Sequence, residues 1–368
     1  MKRLNNLYNE CCKLDNIINM TDVVLKNVRN KKLVDKFERC KMEHIINIKK
    51  RLENRDFRFD RYNIFMISDP KYRVVMSQNI EDKIINHLVA KYILVKVFEP
   101  VYPDCMVATR KNKGTSYGIK LLLKYLNILK GKNLYVLKLD ISKYFYNIDH
   151  DVLKGMLRKK IKDNDALNIL DSIIDSTNKV YVNKRSIDLK NEKISYLKDN
   201  NKIKEVNEIP LYKYNKGVGL GDETSQSFGL IYLCEFTRFL KEKLRLKYVI
   251  NYMDDYVILH ESKEYLKYCL DLIIDKLSEY KLELNNKKTK IDNIKNGIDF
   301  LGYKFYINNR VVIKLRNRTK LNFKKKVKKL KMLKSYNYID NKMYFNLLSS
   351  YKGLTKYCSK LYKFNVKL

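Results

Sequence analysis

Two adjacent carboxylates, Asp254 and Asp255, sit in the stretch Asn251-Tyr252-Met253-Asp254-Asp255-Tyr256. Apolar runs flank them, Lys247-Tyr248-Val249-Ile250 on one side and Val257-Ile258-Leu259 on the other. β-Branched and aromatic residues dominate both runs, so the pattern predicts a hairpin with the acidic pair at its tip. Carboxylates held this close repel one another, and a cation between them relieves the repulsion. Hard divalent ions such as Mg²⁺ take oxygen ligands, usually one or two carboxylates together with phosphates and water. The pair is therefore a candidate platform for phosphate chemistry. Taken alone it reads more simply as an exposed acidic turn, and other residues have to decide between the two.

A third carboxylate, Asp140, closes the apolar run Leu134-Tyr135-Val136-Leu137-Lys138-Leu139. An Asp there is presented at the working edge of a sheet, or else caps the turn into the helix expected from about His150. Basic groups recur at intervals. Lys71 and Arg73, in Asp69-Pro70-Lys71-Tyr72-Arg73-Val74-Val75-Met76, are spaced to share one face of a strand and so to clamp one phosphate, or to form a solvated strand edge. Arg110-Lys111-Asn112-Lys113-Gly114-Thr115 precedes a helix over about 116–129 and offers a weak anion seat. The loop Gly217-Val218-Gly219-Leu220-Gly221-Asp222-Glu223-Thr224-Ser225-Gln226 opens an apolar helix, and its alternating glycines permit a close approach of backbone to a flat ligand. It lacks the Gly-Lys-Ser/Thr ending of a Walker loop.

The elements that would hold these residues alternate between helices and short strands. Residues 1 to about 55 look helical and basic, β-like pieces begin near Phe57-Arg58-Phe59, and an amphipathic helix covers 82–97 before Glu99-Pro100 and Pro103. Residues 178–216, rich in Lys, Asn and Glu, read as an insertion or long hairpin on the surface. A helix over 263–280 leads to the basic turn Lys287-Lys288-Thr289. A strand over 299–305 then pairs with Val311-Val312-Ile313, and a helical tail from about Asn317 carries the run Lys324-Lys325-Lys326-Val327-Lys328-Lys329.

Composition narrows the partner. With 77 Lys and Arg against 41 Asp and Glu in 368 residues, the net charge of +36 points to a polyanion and a salt-dependent affinity. The 29 tyrosines interleave aromatic faces with lysines, which suits base stacking; Lys, Asn, Ile and Tyr enrichment also follows from an AT-rich genome. Seven scattered cysteines form no CxxC pair and four histidines show no ligand spacing, so neither a zinc site nor a disulfide framework is expected. No apolar run approaches a membrane span and no signal peptide is evident, so a cytoplasmic location and no membrane partner are expected.

In this order, the strand ending at Asp140, the glycine loop, Tyr252-Met253-Asp254-Asp255, Lys287-Lys288-Thr289 and Phe300-Leu301-Gly302-Tyr303 resemble the successive palm motifs of reverse transcriptases. Within that family, Leu220-Gly221-Asp222-Glu223-Thr224-Ser225-Gln226 most resembles the enzymes of diversity-generating retroelements, as do Asp69 to Arg73, Arg110 to Thr115 and the closing segment from Ser350 to Tyr357. The chain departs from that subgroup at Gly219, Gly229 and Met253 and in the length of its insertion. Bacterial antiviral reverse transcriptases share most of the same motifs.

The resemblance implies an α+β right-hand polymerase: an antiparallel palm sheet backed by helices, α-rich fingers and a helical thumb. Its parts would be an N-terminal helical extension over 1–55, fingers with the start of the palm over 56–133, palm over 134–306 and thumb over 307–368. It implies RNA-directed DNA synthesis with two Mg²⁺ ions, or Mn²⁺ in their place, held by Asp140, Asp254, Asp255 and the carbonyl of Ile141. It places Lys71, Arg73, Arg110, Phe145, Gly221, Gln226 and either Lys287 or Lys288 about the nucleotide, with Phe145 as an aromatic gate under the sugar. Phe300, Leu301, Gly302 and Tyr303 become the primer grip. Lys113, Lys324, Lys325, Lys328 and Lys329 meet the nucleic-acid backbone. Expected partners are an RNA template, a DNA or RNA primer, dNTPs and, for a retroelement enzyme, a structured noncoding RNA and an accessory protein. The rivals are an antiviral enzyme using a noncoding RNA or no template, and a catalytically idle RNA-binding scaffold.

Overall fold

The computed structural model describes residues 3–59, 62–69, 71–307 and 310–359. The ends of the expected N-terminal and thumb segments, residues 1–2 and 360–368, lie outside the described residues, as does Pro70. Four helices come first, α1 (Tyr8–Cys12), α2 (Leu14–Asn27), α3 (Lys31–Arg39) and α4 (Lys41–Glu53). Their buried faces, among them Ile17, Val24, Phe37, Ile45, Ile48 and Leu52, join the main core. The entry to α1 is fixed by Asp163, whose Oδ2 accepts the backbone N–H groups of Leu7 (2.7 Å) and Tyr8 (2.9 Å), satisfying donors that a helix start leaves open.

A two-stranded hairpin follows, β1 (Asn63–Ile67) with β2 (Arg73–Ser77). The β-like texture thus begins at Asn63, not near Phe57. The second strand opens at Arg73, so Lys71 lies in the hairpin turn and the two do not share a strand face as expected. Helix α5 (Ile80–Val89), capped by Asn79, runs through a π turn into α6 (Lys96–Phe98), and α7 (Thr115–Ile128) follows Gly114.

The central sheet has the order β4-β5-β3-β6, all antiparallel, built from β3 (Tyr135–Asp140), β4 (Tyr248–Tyr252), β5 (Asp255–His260) and β6 (Lys290–Asn293). Between β3 and β4 run α8 (Tyr144–Asn147), α9 (His150–Arg158), α10 (Asn164–Asp175), α11 (Val180–Ser195), α12 (Asn200–Asn207) and α13 (Glu223–Arg238). Eleven of the sixteen residues of α13 are buried, which makes it the helix around which the rest packs. Residues 178–216 are a pair of helices packed on the β1–β2 hairpin through Val182, Val206, Ile209 and Tyr212, not a free surface excursion. Helix α14 (Lys263–Glu279) backs the sheet.

A second sheet, β7 (Ile298–Phe300), β8 (Tyr303–Ile307) and β9 (Val311–Leu315), replaces the single strand expected over 299–305. Phe300 pairs with Tyr303, and Leu301 (φ 48°) with Gly302 (φ 86°) makes the two-residue turn. Positive φ at both turn positions is the hairpin geometry that matches strand twist. Helices α15 (Asn317–Ser335) and α16 (Asn341–Lys352) then form their own small core from Phe323, Val327, Leu330, Tyr344 and Leu348. The 3.6-residue period puts Lys324, Lys325, Lys328 and Lys329 on the exposed face of α15.

Candidate active site

The antiparallel register sets Asp140, the last residue of β3, directly opposite Asp255, the first residue of β5. Asp255 in turn faces Tyr252 of β4, and Met253-Asp254 form the turn between them. That turn needs Met253 in the left-handed region (φ 56°), an uncommon conformation for a non-glycine residue. Asn251, fully buried, steadies it by donating from Nδ2 to the Met253 carbonyl (2.5 Å). The Asp254 carbonyl accepts the Ile141 N–H (3.4 Å), which ties the acidic turn to the end of β3. Three carboxylates thus occupy one edge of the sheet, brought together from positions more than a hundred residues apart.

Their electrostatics are those of buried carboxylates that crowd one another. Burial, then Asp255 and Asp140, push the Asp254 carboxyl up to about 6. Asp255 is also raised, chiefly by burial, against the pull of Lys138. A carboxylate in this state binds a proton or a cation readily. Among the described residues no three acidic, His or Cys side chains already close into a metal cage. One ammonium has reached the edge: Lys288 Nζ donates to Asp140 Oδ1 at 2.6 Å. Of Lys287 and Lys288, either of which was expected about the nucleotide, Lys288 is the one in contact with a carboxylate. The all-oxygen donor set, with one partner a displaceable amine, fits a hard divalent ion.

Beside the acidic edge opens a cavity of about 740 Å³ lined by Asp140, Asp255, Lys71, Lys138, Lys287, Lys288, Arg316 and Arg318, among others. Lys71 and Arg73 of the hairpin meet Arg316, Arg318 and Lys326 around an adjoining cavity of about 600 Å³. Lys138, Arg316 and Arg318 were not expected. Lys138 could have been found, because it lies two residues before Asp140 on the same face of β3. Its Nζ donates to the Asp299 carbonyl (2.7 Å), while Arg316 Nε donates to Asp299 Oδ1 (2.7 Å). Arg316 and Arg318 carry no local signal, since only the fold of the second sheet brings them here.

On the other side lies the glycine loop. A Cβ on Gly221 (φ 127°) would collide with the Met76 carbonyl, so only glycine lets the loop lie on β2, where the Met76 N–H donates to the Leu220 carbonyl (2.8 Å). The Val218 N–H donates to the Phe145 carbonyl (2.9 Å). The half-buried Phe145 ring packs against Tyr144 and the face of Gly229. Asp222 is buried, and Tyr62 donates to its Oδ2 (3.1 Å) while accepting from Gln78 Nε2 (3.3 Å). Gln226 is half-buried in the first turn of α13. The Phe300–Tyr303 turn lies against α7, where a Cβ on Gly118 would come 3.1 Å from Leu301 Cδ1.

Two expected phosphate contacts have other work. Arg110 is buried, with Nε on Glu99 Oε1 (2.9 Å) and Nη1 on the carbonyls of Pro103 (2.8 Å) and Met106 (3.0 Å). Its donors hold the loop before α7 together and do not reach the acidic edge. Lys113 likewise pairs with Asp104 at 2.9 Å, not with an open surface.

This fold, a mixed helical body with an antiparallel sheet carrying the acidic pair at a hairpin, is that of a right-hand nucleotide polymerase. The profile of the reverse transcriptase (RNA-dependent DNA polymerase) family matches residues 67–305, and the chain belongs to that family. No curated protein matches it. Among solved structures it is similar to apo telomerase from Candida Tropicalis truncated from its C-terminal domain, with 17% identity and a TM-score of 0.45 over 70% of this chain and 55% of that one. For apo telomerase from the same organism the identity is 15% and the TM-score 0.42, over 67% of this chain and 46% of that chain. The chain thus spans about half the length of each.

Proposed function

We propose that the chain is an RNA-directed DNA polymerase whose chemistry is centred on Asp140, Asp254 and Asp255. The observation that carries this reading is the β3–β5 register, which sets Asp140 opposite Asp255 with Asp254 in the adjoining turn. In the proposed reaction a primer 3′-hydroxyl attacks the α-phosphate of a dNTP and pyrophosphate leaves. Asp140 and Asp254 would hold two Mg²⁺ ions between them, with Asp255 and the Ile141 carbonyl as further oxygens. Bound there, such ions stabilise the attacking and leaving oxygens of an in-line displacement.

The chain's own cations complete the nucleotide side. Lys71 from the hairpin turn and Arg73 at the start of β2, with Arg316 and Arg318, surround the space for a triphosphate. Lys288, which donates to Asp140 (2.6 Å), would meet the leaving pyrophosphate. Phe145 excludes a ribose 2′-hydroxyl. Phe300 to Tyr303 hold the primer end, and the lysine face of α15 follows the duplex backbone. On this reading residues 1–55, 56–133, 134–306 and 307–368 serve as extension, fingers, palm and thumb, the insertion over 178–216 lying within the palm range.

Primer extension on an RNA template with Mg²⁺ tests the proposal. The wild type extends, whereas Asp140→Asn or Asp254→Asn loses incorporation and keeps RNA affinity. Incorporation by either variant would reject the assignment, and an inert wild type that binds RNA would favour the scaffold reading. The glycine loop and its flanks support a role in a diversity-generating retroelement, in the cytoplasm and with a structured RNA and an accessory protein. Sequencing the RNA and DNA that co-purify tests this role: cDNA of a repeat with a near-duplicate in the flanking DNA supports it. DNA copied from a small noncoding RNA, or made without a template, supports antiviral defence instead. No helix among the described residues is long and apolar enough to cross a membrane.

A further inference from the structure

Between Asp140 and the glycine loop the chain inserts α11 and α12, and no step of the proposed reaction uses them. Val182 of α11, Val206 of α12, and Ile209 and Tyr212 in the segment that follows them, cluster with Ile64, Val74 and Met76. Side chains alternate along a strand, so this is the face of β2 opposite to Arg73 and Val75. The insertion therefore backs the hairpin whose turn carries Lys71. It also holds the turn itself: Glu205 Oε1 accepts the N–H of Tyr72 (3.3 Å), and Lys193 Nζ lies 5.8 Å from the Tyr72 ring centroid.

The far end of the insertion reaches the glycine loop through Tyr212. The buried Tyr212 hydroxyl donates to the Val218 carbonyl (3.3 Å) and accepts the Leu220 N–H (3.4 Å). Burial pushes this phenol up, so it remains a donor throughout the working pH range. The Tyr212 ring lies against Tyr146, with centroids 4.8 Å apart and planes at 33°. A Cβ on Gly217 would fall 2.6 Å from Tyr212 Cδ1, so the ring and the bare glycine are fitted to one another. Val218 and Leu220 are the residues whose other backbone groups bind the Phe145 carbonyl and the Met76 N–H. Tyr212 thus stands at the junction of three pieces: the hairpin, the loop and the helix of the sugar gate.

We infer that the α11–α12 insertion is a brace that holds the triphosphate hairpin, the glycine loop and Phe145 as one unit, with Tyr212 as the positioning residue for the incoming nucleotide. The inference rests on the polymerase reading. Tyr212 touches no reacting atom and acts through Val218 and Leu220.

The test is steady-state primer extension by the full chain, comparing wild type with Tyr212→Phe, Glu205→Ala and the exposed-residue control Tyr196→Phe. Tyr212→Phe keeps the ring and removes both hydrogen bonds. It should raise the dNTP KM about 5-fold, with kcat at saturating dNTP within about 2-fold. It should also lower the dNTP-over-rNTP ratio of kcat/KM, because Val218 no longer fixes Phe145. Glu205→Ala should raise KM by about 2-fold and leave that ratio unchanged, since it loosens the hairpin turn alone. Tyr196→Phe should match wild type. A purely structural role would lower Tm and the active fraction without moving KM or the ratio, and that result overturns the brace. If Tyr212→Phe does not fold, Glu205→Ala decides, and an unchanged KM there overturns it too. An inactive wild type would instead overturn the polymerase reading on which the brace depends.

Discussion

Gly229→Ala gives a graded test of the sugar gate. Gly229 lies in the buried middle of α13, where glycine costs about 0.5–1 kcal/mol relative to alanine. Its retention there calls for a packing reason, and the neighbours supply one. A Cβ would lie 3.2 Å from Phe145 Cε1, 3.4 Å from Phe145 Cζ and 3.3 Å from Tyr144 Cε1. Tyr144 is buried and its hydroxyl donates to the Gly229 carbonyl (2.5 Å), so it has no room to retreat. Phe145 is only half-buried and must take up the displacement, a few tenths of an ångström away from α13.

Overpacking of this kind costs about 1–3 kcal/mol. Offset by the gain in helix propensity, the net loss of stability is roughly 0–2.5 kcal/mol, a Tm lower by no more than about 3 °C. The effect on selectivity should be larger than the effect on stability. A ring pushed toward the sugar sharpens exclusion of a 2′-hydroxyl by about 1 kcal/mol, roughly 5-fold in the dNTP-over-rNTP ratio, and raises the dNTP KM as well. Single-nucleotide extension with matched dNTP and rNTP, alongside thermal melts, measures both. A ratio that is unchanged, or moved toward rNTP while Tm holds, would refute the placement of Phe145 beneath the sugar.

The complementary change, Phe145→Ala, should raise ribonucleotide incorporation in the same assay. Arg110→Ala should lower Tm by breaking a half-buried ion pair and two carbonyl contacts worth about 2–3 kcal/mol together, while the folded enzyme keeps its dNTP KM; a raised KM would return Arg110 to the nucleotide. Burial pushes the Asp222 carboxyl from 3.8 to about 7, so the folded chain holds a proton that the unfolded chain releases above pH 3.8. Its contribution to stability is therefore full below that pH and lost as pH rises toward 7. Asp222→Asn should flatten this part of the Tm profile, and an identical slope in the variant would show that the carboxyl is not carrying it.

What could be read from the sequence was local. The Tyr-x-Asp-Asp hairpin, the strand ending at Asp140, α5 with its extension, α7 and α14 all follow from runs of apolar period and their punctuation, and each formed close to its expected bounds, whereas α13 starts at Glu223, inside the loop expected to run to Gln226. The readings that changed did so for want of a local signal. Residues 178–216 look like solvent-facing sequence because α11 and α12 bury few residues each, yet those few complete the core of a neighbouring hairpin. The run 299–305 is continuous in β propensity, and the turn inside it depends on two positive φ angles, of which only Gly302 gives a hint. Arg110 looked like a phosphate ligand because a basic loop carries no mark of the Glu99 carboxylate and the carbonyls that occupy it.

The candidate site divides along the same line. The type of chemistry is written in adjacent residues, Asp254 and Asp255, but the geometry is written in contacts across most of the chain. Asp140 meets Lys288 across 148 positions and Tyr62 meets Asp222 across 160. On the proposed reading the charged residues set the reaction, and neutral, buried ones decide how sharply it selects. Tyr212 and Gly229 belong to the second kind. Neither contributes charge, and each is proposed to act through a backbone or a ring that it holds in place. Removing a carboxylate should therefore abolish incorporation, whereas altering Tyr212 or Gly229 should leave the rate at saturation nearly intact and change which nucleotide is taken.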